Sequence, residues 1–99
     1  IIIAAPTGNN VVAAAPGKIV FADWLRGFGL LLIIDHGDQY MTLYGNNETL
    51  LTQVGDEVTT GDLIAQSGKK DGRQQAGLYF ELRHKGNPTN PMKWLSKRS

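Results

Sequence analysis

Val54-Gly55-Asp56-Glu57-Val58, followed by Thr60-Gly61-Asp62-Leu63-Ile64-Ala65, is the stretch that decides the fold class. Two glycine turns flank a very short strand, with apolar residues expected to point inward on each side. Such a pattern belongs to compact folded sheets whose chain turns a corner every few residues. Working outward, turn chemistry recurs at Pro16-Gly17-Lys18, Arg26-Gly27-Phe28-Gly29, His36-Gly37-Asp38, Gly45-Asn46-Asn47 and Lys85-Gly86-Asn87-Pro88. Between these lie segments of roughly five to eight residues, the usual strand length. Lys18 to Trp24 and Tyr40 to Tyr44 alternate in the manner of strands and are rich in β-branched and aromatic residues. Helical periodicity is confined to Asn90 to Lys97, where Pro91 suits a first helical position and Met92, Trp94 and Leu95 are the apolar residues. The expectation is an all-β fold of compact, folded antiparallel sheets, barrel-sandwich-like, with little helix.

The 99 residues suffice for one domain, spanning 1–99. Twelve glycines, spread along the chain, agree with many tight turns. Cysteine is absent, which removes disulfides, thiolate metal ligands and a cysteine nucleophile. Ten Lys plus Arg against nine Asp plus Glu leave a net charge of +1, which gives no reason to expect nucleic-acid binding. The longest apolar run, Gly29 to Ile34, falls far short of the roughly 20 residues of a membrane span and reads as a buried strand. The chain opens on Ile1-Ile2-Ile3 and reads as a piece of a longer protein.

Histidine is the residue that metal and acid-base sites most often need, and there are two, His36 and His84. Neither stands in an HxH or HExxH spacing, so both read as turn histidines. Ser67 and Ser96 lack a nucleophile elbow. Asp35, Glu57 and Glu81 are carboxylates that no spacing pairs. Lys69-Lys70 lacks the flanks of a carrier lysine and reads as a solvated loop.

Read end to end, the chain resembles a LytM, or lysostaphin-like, domain. The resemblance rests on Ala4-Ala5-Pro6-Thr7-Gly8, Val11-Val12-Ala13-Ala14, Gly17 to Trp24, Gly27-Phe28-Gly29, Ile34-Asp35-His36-Gly37, Thr42 to Asn46, the double-glycine pattern, Leu78 to Arg83, and Asn90-Pro91 with Trp94-Leu95. Lipoyl and biotinyl carrier domains share the double-glycine pattern alone. Active members of the family bind zinc through the histidine and aspartate of an HxxxD motif and the second histidine of an HLHFE-like stretch. Here the aspartate position holds Ile2, the stretch reads Gly77-Leu78-Tyr79-Phe80-Glu81, and the tyrosine-x-histidine stretch reads Tyr44-Gly45-Asn46. The first zinc histidine would precede Ile1. The resemblance therefore implies a degenerate peptidase with no metal and no cofactor.

These replacements are similar to those of the EnvC-like branch of the family, more so than to its NlpD-like branch. That branch comprises non-catalytic activators of periplasmic N-acetylmuramoyl-L-alanine amidases that split septal peptidoglycan in cell division. The implied partners are such an amidase, docking a regulatory helix in the groove, and FtsEX, reached through an N-terminal coiled coil. The implied location is the periplasm at the division septum. Ile2 and Tyr79 would form the groove floor with Tyr44 beside them, Phe28 and Leu31 an apolar wall, and Arg83 a charged anchor on the face of Tyr79. The plain alternatives are core for Ile2 and Leu31, a turn aromatic for Phe28, a buried hydroxyl for Tyr79 and a surface charge for Arg83. Trp24 and Trp94 are assigned to the core. Two other functions stay open at this point: a peptidoglycan-binding module without an amidase client, and an active zinc endopeptidase.

Overall fold

A computed structural model describes residues 2–4, 10–67 and 77–98. The strands are β1 (Ile2–Ala4), β2 (Asn10–Val12), β3 (Gly17–Leu25), β4 (Gly29–Gly37), β5 (Tyr40–Leu50), β6 (Glu57–Val58), β7 (Leu63–Ser67), β8 (Gly77–His84) and β9 (Asn87–Thr89), with one helix, α1 (Pro91–Arg98). Among the described residues they form one nine-stranded sheet, in which six strands follow the order β1-β8-β5-β4-β3-β6, β9 lies beside β8 and the β7-β2 pair lies beside β5. Each pairing is antiparallel. The all-β expectation with little helix holds.

Strand β5 carries the topology because it changes partner midway. Tyr40 to Gly45 pair with His84 to Tyr79 of β8, whereas Asn47 to Leu50 pair with Ser67 to Ala65 of β7. Gly45-Asn46-Asn47, expected as a turn, is instead a kink inside this strand. Asn46 takes a positive φ of 62°, and the register of β5 shifts against both β4 and β7 around Asn47. The broken ladder is repaired by side chain: Asn47 Nδ2 donates to Leu30 O at 3.0 Å and to Tyr44 O at 2.7 Å. Asparagine is suited to both tasks, since it tolerates the left-handed region and carries an amide that substitutes for backbone.

The partner change folds the sheet onto itself. Ile19, Leu32, Ile34, Tyr44 and Phe80 of the main sheet enclose a core with Val11, Ile64 and Ala65 of the β2-β7 pair, Ala13 following β2 and Val58 of β6. A second cluster joins Ala15, Leu82 and Trp94, with Tyr40 and Leu95 packed against it, and anchors α1. That helix starts as its sequence foretold: Asn90 Oδ1 accepts from Met92 N at 3.0 Å and Pro91 takes the first position. Its apolar residues divide, with Trp94 buried and Met92 73% exposed.

The deciding stretch contains the same turn twice. Gln53 N donates to Asp56 Oδ2 while Asp56 N donates to Gln53 O; Thr59 and Asp62 repeat both bonds. Gly55 and Gly61 stand at φ values of 100° and 88°, where a side chain would be strained. Val58, Ile64 and Ala65 point inward as expected, but Val54 and Leu63 are exposed. Val54 sits within the first turn, and Leu63 lies at the start of β7 opposite exposed Val12. Trp24, assigned to the core, is 62% exposed. The β3-β4 hairpin runs past the layer that covers the sheet, so the core reaches Ala22 and Leu32 and stops short of Trp24.

Tyr44 is the largest side chain closed into this core, and its hydroxyl accepts two hydrogen bonds. It accepts from Ala14 N at 3.1 Å and from Thr42 Oγ1 at 2.9 Å; Thr42 Oγ1 also lies 2.7 Å from His36 Nε2, and His36 Nδ1 lies 2.7 Å from Pro16 O. The network ties the segment after β2 to β4 and β5. Tyr44→Phe keeps the ring and removes the acceptor of two donors, so urea denaturation should show a loss of about 1–3 kcal/mol. A loss near zero would show that the network contributes nothing to stability.

Candidate functional site

The pleat of β8 sorts the candidate residues onto two faces. Tyr79, Glu81 and Arg83 alternate along one face, opposite Gly45, Leu43 and Met41 of β5. Leu31, Ile33 and Asp35 of β4 continue that face, because Ile33 pairs with Leu43 and Asp35 with Met41. Phe21 of β3 pairs in turn with Ile33. Phe80 and Leu82 point the other way, into the core with Tyr44. The result is an apolar lane of Phe21, Ile33 and Leu43 with a polar ladder along β8 at its side.

The ladder is built around one carboxylate oxygen. Tyr79 Oη donates to Glu81 Oε1 at 3.0 Å, and the same oxygen lies 3.2 Å from Arg83 Nη2. The Tyr79 ring meets Phe28 edge to face at a centroid distance of 5.3 Å. Such aromatic pairs contribute about 1 kcal/mol beyond their buried area. Gly45 gives this stacking room. A Cβ there would lie 3.1 Å from Phe28 O and 3.3 Å from Tyr79 Cβ, and Phe28 O is held in place by Asn46 N at 2.7 Å. Partial burial, reinforced by hydrogen bonding to Glu81 and by its negative charge, pushes the Tyr79 phenol above its ordinary value, with Arg83 opposing. Burial also raises Tyr44, against the bonds from Thr42 and Ala14.

Phe28, Tyr79 and Arg83 thus come together on one face. Ile2 joins them through its backbone, paired in register with Tyr79. Leu31 belongs to the same face but is only 1% exposed, so it underlies the wall and offers a partner no surface. Tyr44 is a correction: it faces the core, not the floor beside Tyr79, because its cross-strand partner is Phe80. One residue along a strand inverts the face, and the resemblance did not supply the register. Glu81 at the centre of the ladder, and Phe21, Ile33 and Leu43 on the lane, were missed for the same reason. Their signal is the alternation of β8 combined with cross-strand register.

A catalytic zinc centre needs three protein ligands with an open position. Among the described residues no three His, Cys, Asp or Glu side chains are grouped to hold a metal ion. His84 stacks flat on Tyr40 at 3.9 Å, and Trp94 packs against both Tyr40 and His36. The histidines, expected in turns, lie in strands β4 and β8. The three carboxylates do not converge: Asp35 and Glu57 flank Lys18 in register, and Glu81 lies in β8. Lys69 and Lys70 lie outside the described residues.

The fold and this groove define a lysostaphin-type domain. The catalytic domain of the antimicrobial peptidase lysostaphin from Staphylococcus simulans superposes with a TM-score of 0.82 at 25% identity, over 96% of this chain and 76% of that one. The sequence profile of Peptidase family M23 matches residues 1–91, and the chain belongs to that family. Among curated relatives it is 42% identical to the murein hydrolase activator EnvC of Escherichia coli K12, over 97% of this chain and 23% of that protein. It is 41% identical to the murein hydrolase activator NlpD of Salmonella dublin, over 97% of this chain and 26% of the relative. The chain therefore spans about a quarter of these relatives, and identity alone does not separate the two activator branches.

The tyrosines give the fold a signature at high pH. A phenol whose folded value lies above its unfolded value of 10.0 contributes stability that is complete below that pH and lost as pH rises through the folded value. Urea midpoints measured from about pH 9 to about pH 11 should fall, and fall less in Tyr79→Phe. Equal slopes in the two proteins would place Tyr79 in an ordinary solvated setting.

Proposed function

We propose that this domain is a non-catalytic activator of periplasmic N-acetylmuramoyl-L-alanine amidases, acting in septal peptidoglycan splitting. The observation that carries the reading is the ladder itself: Tyr79, at a position where the family's peptidases are expected to hold a zinc histidine, is an aromatic anchor braced on Phe28, and Arg83, four residues further along β8, is a charged anchor on the same face. Tyrosine and arginine in a partly desolvated, apolar setting are the residue types that dominate protein interfaces. The relatives named as murein hydrolase activators support the same reading. An amidase regulatory helix would lay its apolar stripe on the lane of Phe21 and Ile33 and present a carboxylate to Arg83. Because the groove binds the amidase conformer with an open active site more tightly, docking shifts that population without touching substrate. Contact with FtsEX would belong to a coiled coil elsewhere in the full-length protein, and the location would be the periplasm.

The test is stimulation of a purified periplasmic amidase on dye-labelled sacculi. Release should require both proteins and survive treatment of the domain with a chelator. Tyr79→Ala and Arg83→Glu should each abolish stimulation, with the thermal midpoint moving by no more than about 5 °C. Normal stimulation by either variant removes the groove assignment. Release by the domain alone, lost on chelation, would establish a peptidase, and capture on sacculi without stimulation would establish a peptidoglycan-binding module.

A further inference from the structure

Glu81 stands between the two docking anchors and is only 11% exposed, while Arg83 is 36% exposed. Both anchors converge on one of its oxygens. The contact with Arg83 uses a single nitrogen, Nη2, and Arg83 Nε is buried with no hydrogen-bond partner among the described residues. A buried N–H without an acceptor leaves its desolvation uncompensated. The pair is therefore an incomplete form of the side-on arrangement in which a carboxylate takes Nε and Nη2 of one guanidinium edge together. The cross-strand neighbours of Arg83 are Met41 and Pro88, neither of which brings a competing anion.

We infer that Glu81 is the specificity-determining residue of this groove, holding Arg83 through one nitrogen in the free domain and yielding it only to a partner carboxylate that engages the guanidinium side-on. The inference rests on the docking reading above. A partner amide or hydroxyl offers one neutral acceptor and cannot displace a charged one already in place. A partner carboxylate can, because it satisfies Nε as well as Nη2 once Arg83 swings outward. Glu81 is not stranded by the exchange, since Tyr79 continues to donate to it. Tyr79 in turn is kept in place by Phe28, and a phenol is a donor at neutral pH. Glu81 thus sets a threshold that only a bidentate acidic side chain crosses.

Glu81→Gln preserves the acceptor for Tyr79 and removes the charge that holds Arg83. Titrated against a purified periplasmic N-acetylmuramoyl-L-alanine amidase on labelled sacculi, this variant should lower the half-maximal domain concentration by about three- to tenfold. The gain should vanish in an Arg83→Lys background, because lysine is a point charge without a side-on edge. Independently of any partner, absorbance titration should show one of the three tyrosines ionising at lower pH in Glu81→Gln, with thermal unfolding reporting that the variant is folded. An unchanged or raised half-maximal concentration, in a domain where Tyr79→Ala abolishes stimulation, overturns the role of Glu81 and leaves docking intact. If either Tyr79→Ala or Arg83→Glu stimulates normally, docking in this groove fails and the role of Glu81 falls with it.

Discussion

The change of partner within β5 is the constraint on which the rest depends. A regular strand of eleven residues would pair along its whole length with the same two neighbours. Here the kink at Asn46 and the amide of Asn47 let its second half leave β8 and pair with β7, which brings the β2-β7 pair over the main sheet. Without that step the sheet has one covered end, where α1 packs, and Ile19, Leu32, Ile34 and Phe80 lose their opposing layer.

The same few residues shape the groove. Gly45, just before the kink, has no side chain to hold Tyr79 and Phe28 apart, so the ring of Tyr79 settles against Phe28 on one face. On the other face Tyr44 closes into the core and bonds the segment after β2. Adjacent residues of one strand therefore serve opposite ends. Tyr44 joins the layers, and Gly45 permits the aromatic anchor. Substitutions around this point act on fold and groove together, whereas Arg83, at the far end of the ladder, acts on the groove alone.

The groove is at once apolar and charge-balanced. Its lane of Phe21 and Ile33 favours an apolar stripe, while Tyr79 and Arg83 share a single oxygen of Glu81. An internal ion pair of this kind contributes modestly to stability, because desolvation offsets much of the attraction. Its consequence lies in recognition. A balanced site has no strong field to attract any passing anion, and selectivity comes from the geometry with which a partner replaces the internal one.

Much of this was legible in the residues. The paired Gly-Asp turns of 53–56 and 59–62, the Asn90-Pro91 helix start and the alternation of β3 are local, so propensity and turn chemistry determined them, as they did the all-β class. The alternation of β8 likewise put Tyr79 and Arg83 on one side of their own strand. What the tertiary structure alone decided was which side each strand turns to its neighbours. Tyr44 lies in the core, Trp24 lies outside it and Glu81 sits at the centre of the ladder because of cross-strand register and of where the covering layer ends. Those depend on pairings between residues tens of positions apart, and a period of two leaves each of them open to inversion by a single step.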